Sequence, residues 1–160
     1  MAKTSVFAPD YVTITLEKEH RPDEFYQNRQ GLWVSDSFKQ LVVVKAQPTG
    51  AGMSFKLKLR PLGRNAIDRE IEEELEEMLG KGKHLFDETQ VSVMFACLIE
   101  GQPNGEGGPL LNNGYANLCY LPSSVVLVSW HSGHHEWHVS TWERDDIRWD
   151  AGSQVFSLGN

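Results

Sequence analysis

The sequence predicts a single α+β domain built on a mainly antiparallel sheet with two helices. Three observations carry this. Period-two apolar alternation dominates the two ends of the chain, and an amphipathic helical pattern falls near its middle. These patterns do not alternate regularly as a parallel α/β fold would require. The 160 residues, 40% apolar and 10% aromatic, contain no internal repeat and suffice for one buried core.

Taken in order, YVTITLE (11–17) sets Tyr11, Thr13 and Thr15 against Val12, Ile14 and Leu16, a strand. HRPDEFYQNRQG (20–31) is polar and punctuated, a loop with a short helical turn. SDSFKQLVVVKA (35–46) begins with cap-type residues and predicts a helix with Phe38, Leu41, Val42 and Lys45 on one face. Its Val42–Val44 run opposes that, because β-branched side chains lose rotamer freedom in a helix. MSFKLKLR (53–60) alternates Phe55, Leu57 and Leu59 with Lys56, Lys58 and Arg60, a half-buried strand.

The second predicted helix spans 66–79. Asn65 would be its N-cap, Asp68 its N3 residue and Gly80 its stop, with Ile67, Ile71, Leu75, Met78 and Leu79 as the apolar stripe. QVSVMFACLIE (90–100) reads as a central strand. GQPNGEGGPLLNNG (101–114) is a long loop, a feature often functional in a compact domain. Four strands should follow: YANLCYL, SVVLVSW, EWHVSTW and SQVFSL. Cys97 and Cys119 each sit in an apolar run and read as buried thiols, with a cross-strand disulfide as the alternative.

Composition excludes several functions. The net charge of −7 comes largely from DREIEEELEE (68–77), and no broad basic stripe suggests nucleic-acid binding. No run of 18 apolar residues could span a membrane, and MAKTSVFAPDYVTITLE lacks the apolar core of a secretory signal. The chain is therefore expected in the cytoplasm, or exported by a route the sequence does not display. REIEEEL (69–75) echoes part of the Nudix signature. Phe55, Pro61 and Glu76 occupy positions where that signature needs glycine, glutamate and glycine, so the motif is rejected and the glutamates read as a wet helix face. GEGG lacks the lysine–serine pair of a phosphate loop. The expectation is a protein with no catalytic residues.

One stretch concentrates chemistry: WHSGHHEWHVSTW (130–142), with four histidines, three tryptophans and a glutamate. As a hairpin turning at Ser132-Gly133, it would pair His131 with His134, Trp130 with His135, Ser129 with Glu136 and Val128 with Trp137. One face then holds Val126, Val128, Trp130, His135, Trp137 and Val139 and reads as core. The other holds Ser129, His131, His134, Glu136, His138, Ser140 and Trp142. Imidazole and carboxylate are ordinary zinc ligands, which makes His131, His134 and Glu136 a candidate metal set. His134 and His138 would lie ~13 Å apart on an extended strand, too far to share one ion.

The tract NNGYANLCYLPSSVVLVSWHSGHHEWHVSTWERDDIRWDAGSQVFSLGN (112–160) resembles the variable proteins of diversity-generating retroelements. Trp130, Trp137, Val139, Arg144, Trp149 and Gly152 would be the fixed frame. His131, Ser132, His134, His135, His138, Ser140, Asp150 and Ser153 are residue types that such mutagenised codons produce. The resemblance implies a C-type-lectin-like fold presenting variable residues on a binding surface. Gln102-Pro103-Asn104 resembles a lectin calcium motif, but its partner motifs are missing and calcium and sugar binding do not carry over.

The expected function is therefore non-catalytic binding of a protein or small ligand through His131, His134, Glu136, His138, Ser140, Trp142 and Asp150, with no required cofactor. Two alternatives follow from the same residues. One is a metal-dependent enzyme using zinc on His131, His134 and Glu136. The other is an interaction protein whose acidic helix 66–79 docks a basic partner through Glu73 and Glu77.

Overall fold

The structure is a computed structural model and describes residues 11–159. The opening ten residues, part of the segment read for a secretory signal, lie outside the described residues. The remainder forms one α+β domain around a seven-stranded, mainly antiparallel sheet.

In chain order the elements are β1 (Tyr11–Thr15), α1 (Pro22–Phe25), β2 (Leu32–Val34), α2 (Asp36–Phe38, continued by a π-helical turn over Lys39–Val43) and β3 (Ser54–Pro61). Then come β4 (Ala66–Ile67), α3 (Asp68–Leu79), α4 (Glu88–Glu100), a 3₁₀ turn (Pro103–Gly105) and β5 (Asn117–Tyr120). The chain finishes with β6 (Ser124–His131), β7 (Glu136–Glu143), β8 (Arg148–Trp149) and β9 (Gln154–Leu158). The sheet order is β1-β3-β9-β5-β6-β7-β2, and β4 pairs with β8 separately. Two junctions are parallel, β5 with β9 and β2 with β7.

The predicted strands at 11–17, 53–60 and through the C-terminal third all form. The main correction is 90–100, which is the helix α4 and not a strand. Asp87 caps it, accepting from the Gln90 N–H at 2.8 Å while Gln90 Oε1 accepts from the Asp87 N–H at 2.9 Å. This reciprocal box satisfies two donors that a helix start leaves unpaired. Val91, Ser92, Val93, Met94, Phe95, Ala96, Leu98 and Ile99 are all buried, so no polar stripe marks its period.

The helix predicted from residue 66 starts later. Ala66 and Ile67 are strand, and Asp68 opens α3. Asn65 does not cap it; its Oδ1 accepts from the Ala151 N–H. Glu70 Oε1 takes the Ile67 N–H at 3.0 Å. Asp68 is buried and accepts from Tyr120 Oη (2.7 Å), Trp149 Nε1 (2.7 Å) and the Ile147 N–H (3.2 Å). Of the stripe, Ile71 and Leu75 are buried, whereas Met78 is exposed.

In α2 the π turn adds a residue and shifts the phase of the face. Phe38, Val42 and Ala46 turn inward, while Leu41 and Lys45 face solvent. Cys97 lies on α4 and Cys119 on β5, both as free thiols. Burial raises both thiols above their ordinary range, Cys119 strongly.

The two faces of the sheet are covered unequally. On one, α1, α2 and α4 pack over Ile14, Leu57, Cys119, Val126, Val128, Trp130, Trp137, Val139 and Phe156. On the other, Ile71 and Leu75 of α3 pack over Leu118, Tyr120, Val125 and Val155. α3 thus sits on the middle strands, and the end of that face formed by β6, β7 and β2 stays open.

Candidate functional site: the open face of β6, β7 and β2

The hairpin β6–β7 pairs His131 with Glu136, Trp130 with Trp137, Ser129 with His138, Val128 with Val139 and Leu127 with Ser140. This register differs by two residues from the predicted one. A two-residue slip preserves the faces, because side chains alternate with period two. The turn is accordingly the four residues 132–135 and not Ser132-Gly133 alone. His134 N–H bonds the His131 carbonyl, and His135 turns the chain at φ 52°.

The faces hold as predicted for Val126, Val128, Trp130, Trp137 and Val139, all buried. His135 is the exception: it is exposed in the turn, with its ring edge-on to Trp130 at 6.2 Å. The long loop 101–114 supports the hairpin from behind. Trp137 Nε1 donates to the Gln102 carbonyl at 3.0 Å, and the Gln102 side chain binds Leu110 N–H and the carbonyls of Glu106 and Leu110. Gln102, in the stretch that resembles a lectin calcium motif, therefore ties the loop together. Gly105 lies so close to Trp130 that a Cβ would come within 2.3 Å of its ring.

On the open face, His131, His134, Glu136, His138, Ser140 and Trp142 come together. The imidazole of His131 stacks on His138 (4.6 Å between centroids, 5° between planes) and on His134 (4.7 Å, 24°). Trp33 of β2, paired with His138, extends the stack at 4.9 Å. Glu136 Oε2 accepts from His138 Nε2 at 2.7 Å and lies 3.9 Å from His134 Nδ1.

The separation expected between His134 and His138 does not hold. His134 belongs to the turn and folds back over His131, so one ligand nitrogen from each of His131, His134 and His138 lies within 4.8 Å of the others. The candidate metal set is thus better drawn as these three histidines, with Glu136 beside them.

Farther along the same face, Trp142 is 53% exposed and Trp33 40%. Leu127, Trp142, Glu143, Asp145, Ile147 and Trp149 line a pocket of about 510 Å³. Asp145 thus joins this surface, whereas Asp146 pairs with Arg69 at 3.3 Å. Asp150 is exposed beyond β8, where its carbonyl accepts from Ser153 N–H, and stands apart from the histidine stack.

Sequence reasoning missed Trp33, although Leu32-Trp33-Val34 between Gly31 and Ser35 is itself a short apolar run bounded by turn-type residues. It also missed a buried polar network under α3. Glu72 accepts from His84 Nε2 (2.7 Å) and from Arg144 Nε and Nη2 (2.9 and 2.6 Å), so this glutamate is not on the wet face. Burial works against its charge, but the bonds from His84 and Arg144 prevail and hold the carboxyl below its ordinary value.

No helix among the described residues is long and apolar enough to cross a membrane. No protein-family model, curated protein or solved structure matches this chain.

Proposed function

We propose that the protein is a non-catalytic binding module that presents the open face of β6, β7 and β2, with the turn 132–135, to a protein or small ligand. The observation that carries this reading is the exposure of two tryptophans, Trp33 and Trp142, on a hydrogen-bonded sheet beside a 510 Å³ pocket. Large aromatic side chains on a rigid support bury much area on binding and lose little rotamer freedom. Leu127, Ile147 and Trp149 give the pocket an apolar floor, and Glu143 and Asp145 make its rim acidic. That combination suits an apolar group carrying or adjoining positive charge.

The retroelement resemblance agrees in part with this surface. The frame positions Trp130, Trp137, Val139 and Trp149 are buried, whereas His131, Ser132, His134, His135 and Asp150 are exposed. Buried Ser153 and exposed Gly152 depart from that division, and Arg144, His138 and Ser140 are half-buried. If the tract is diversified, sibling sequences from the same source should differ mainly within 130–155; differences spread evenly along the chain would remove this part of the reading.

The binding reading itself is tested by amide and indole NMR spectra recorded against a library of small aromatic and aliphatic amines. Shift changes should concentrate on 127–149 and on the indoles of Trp33 and Trp142, and Trp142→Ala should abolish them. Changes centred instead on the groove that Lys58, Arg60, Ile71, Leu75 and Met78 line between β3 and α3, or unaffected by Trp142→Ala, would overturn it.

A further inference from the structure

The geometry points to a divalent transition-metal site at the tip of the β6–β7 hairpin, held by His131, His134 and His138 with Glu136 as the accompanying carboxylate. It does not depend on the ligand platform proposed above: that reading is carried by the Trp33 and Trp142 indoles and the pocket beside Trp142, this one by imidazole nitrogens at the tip, and their readouts differ.

Two features of the fold assemble the donors. The register puts His131 opposite Glu136 and His138 two pairs farther from the turn, so three groups on one face converge near the strand ends. The four-residue turn then returns His134 over His131 in place of extending it away. The outcome is three imidazoles whose ligand nitrogens all lie within 4.8 Å of one another. Tetrahedral zinc with Zn–N bonds of about 2.0–2.1 Å needs donors about 3.3 Å apart. Side-chain rotation of the exposed His131 and His134 can close that difference without moving the sheet.

Glu136 completes the arrangement. Its Oε2 is 2.7 Å from His138 Nε2 and 3.9 Å from His134 Nδ1. A carboxylate there serves as a fourth ligand, or it accepts from one nitrogen of His138 and orients the ring for the other to bind. Both roles strengthen metal binding. Trp33 closes one side of the stack against His138. A donor set of imidazoles and one carboxylate selects zinc, nickel, copper or cobalt over magnesium and calcium, which prefer all-oxygen shells.

The test uses full-length, tag-free protein stripped with chelator, titrated calorimetrically with Zn²⁺ and Ni²⁺ and with Mg²⁺ as the oxygen-preferring control. One Zn²⁺ or Ni²⁺ per chain should bind, with no heat from Mg²⁺. His131→Ala and His134→Ala, both at exposed positions, should each weaken binding at least about tenfold, and Glu136→Gln on the order of 10- to 100-fold. His135→Ala should leave binding unchanged, because that ring faces Trp130. Absence of stoichiometric Zn²⁺ and Ni²⁺ binding, indifference to His131→Ala and His134→Ala, or an equal loss in His135→Ala would each overturn the proposal. Trp142→Ala, which tests the ligand platform, should not change the metal titration.

Discussion

At the scale of single residues, the hairpin tip separates side chains that hold structure from side chains left free to act. Gly105 belongs to the first group. Its φ is +72°, and a Cβ would meet the Trp130 ring at 2.3 Å. Gly105→Ala should therefore cost about 3 kcal/mol, from left-handed backbone strain and overpacking together. Gly133→Ala, whose nearest neighbour would be His131 at 3.7 Å, should change stability by no more than about 0.5 kcal/mol. Urea unfolding of both variants checks the contrast. His135 shows how one residue's role can invert: alternation assigned it to the core, but four turn residues instead of two released it to solvent.

At the scale of elements, α4 and α3 were unequally legible. α3 carries a polar face, and its periodicity shows in the sequence. α4 is buried on nearly every side, so its apolar run resembles that of a central strand, and only the Asp87–Gln90 box distinguishes it locally. Phe95→Ala, which removes a ring packed edge-on to Phe156 at 5.9 Å, should destabilise by about 3–5 kcal/mol. α3 is anchored by polar bonds as well as by its stripe. Asp68→Ala leaves Tyr120 Oη, Trp149 Nε1 and the Ile147 N–H without their acceptor, and should cost on the order of 3 kcal/mol. A thermal denaturation series reads both, and a near-neutral Asp68→Ala would show that water replaces the carboxylate.

At the scale of the whole molecule, two buried groups couple stability to acid. Burial lowers the pKa of His20, against a smaller opposing effect from Glu100, and its Nε2 lies 2.7 Å from Ser92 Oγ. Glu72 is also held below its ordinary value. In both cases the unfolded chain binds the proton more readily, so acid favours unfolding. Stability should decline first below the ordinary histidine value of about 6.5 and again below the ordinary glutamate value of about 4.3. Urea midpoints from about pH 8 to about pH 2.5 test this. Glu72→Gln should flatten the lower limb, and a midpoint that rises between pH 7 and pH 5 would contradict the His20 contribution.

Alternation alone determined the β1, β3, β6 and β7 strands, the inward tryptophans of the hairpin and the outward row from His131 to Trp142, whereas β5 and β9, buried on both faces, showed only as short apolar runs. It did so because a strand's faces depend only on neighbours two residues away, and a register slip of two leaves them unchanged. The tertiary structure alone decided that α4 is a helix, that β9 inserts between β3 and β5, and that β2 lies parallel to β7 and brings Trp33 to His138. It also decided that His134 returns to His131 and His138. These are pairings across long stretches of chain, or the shape of a turn set by them, and local patterning carries no signal for either.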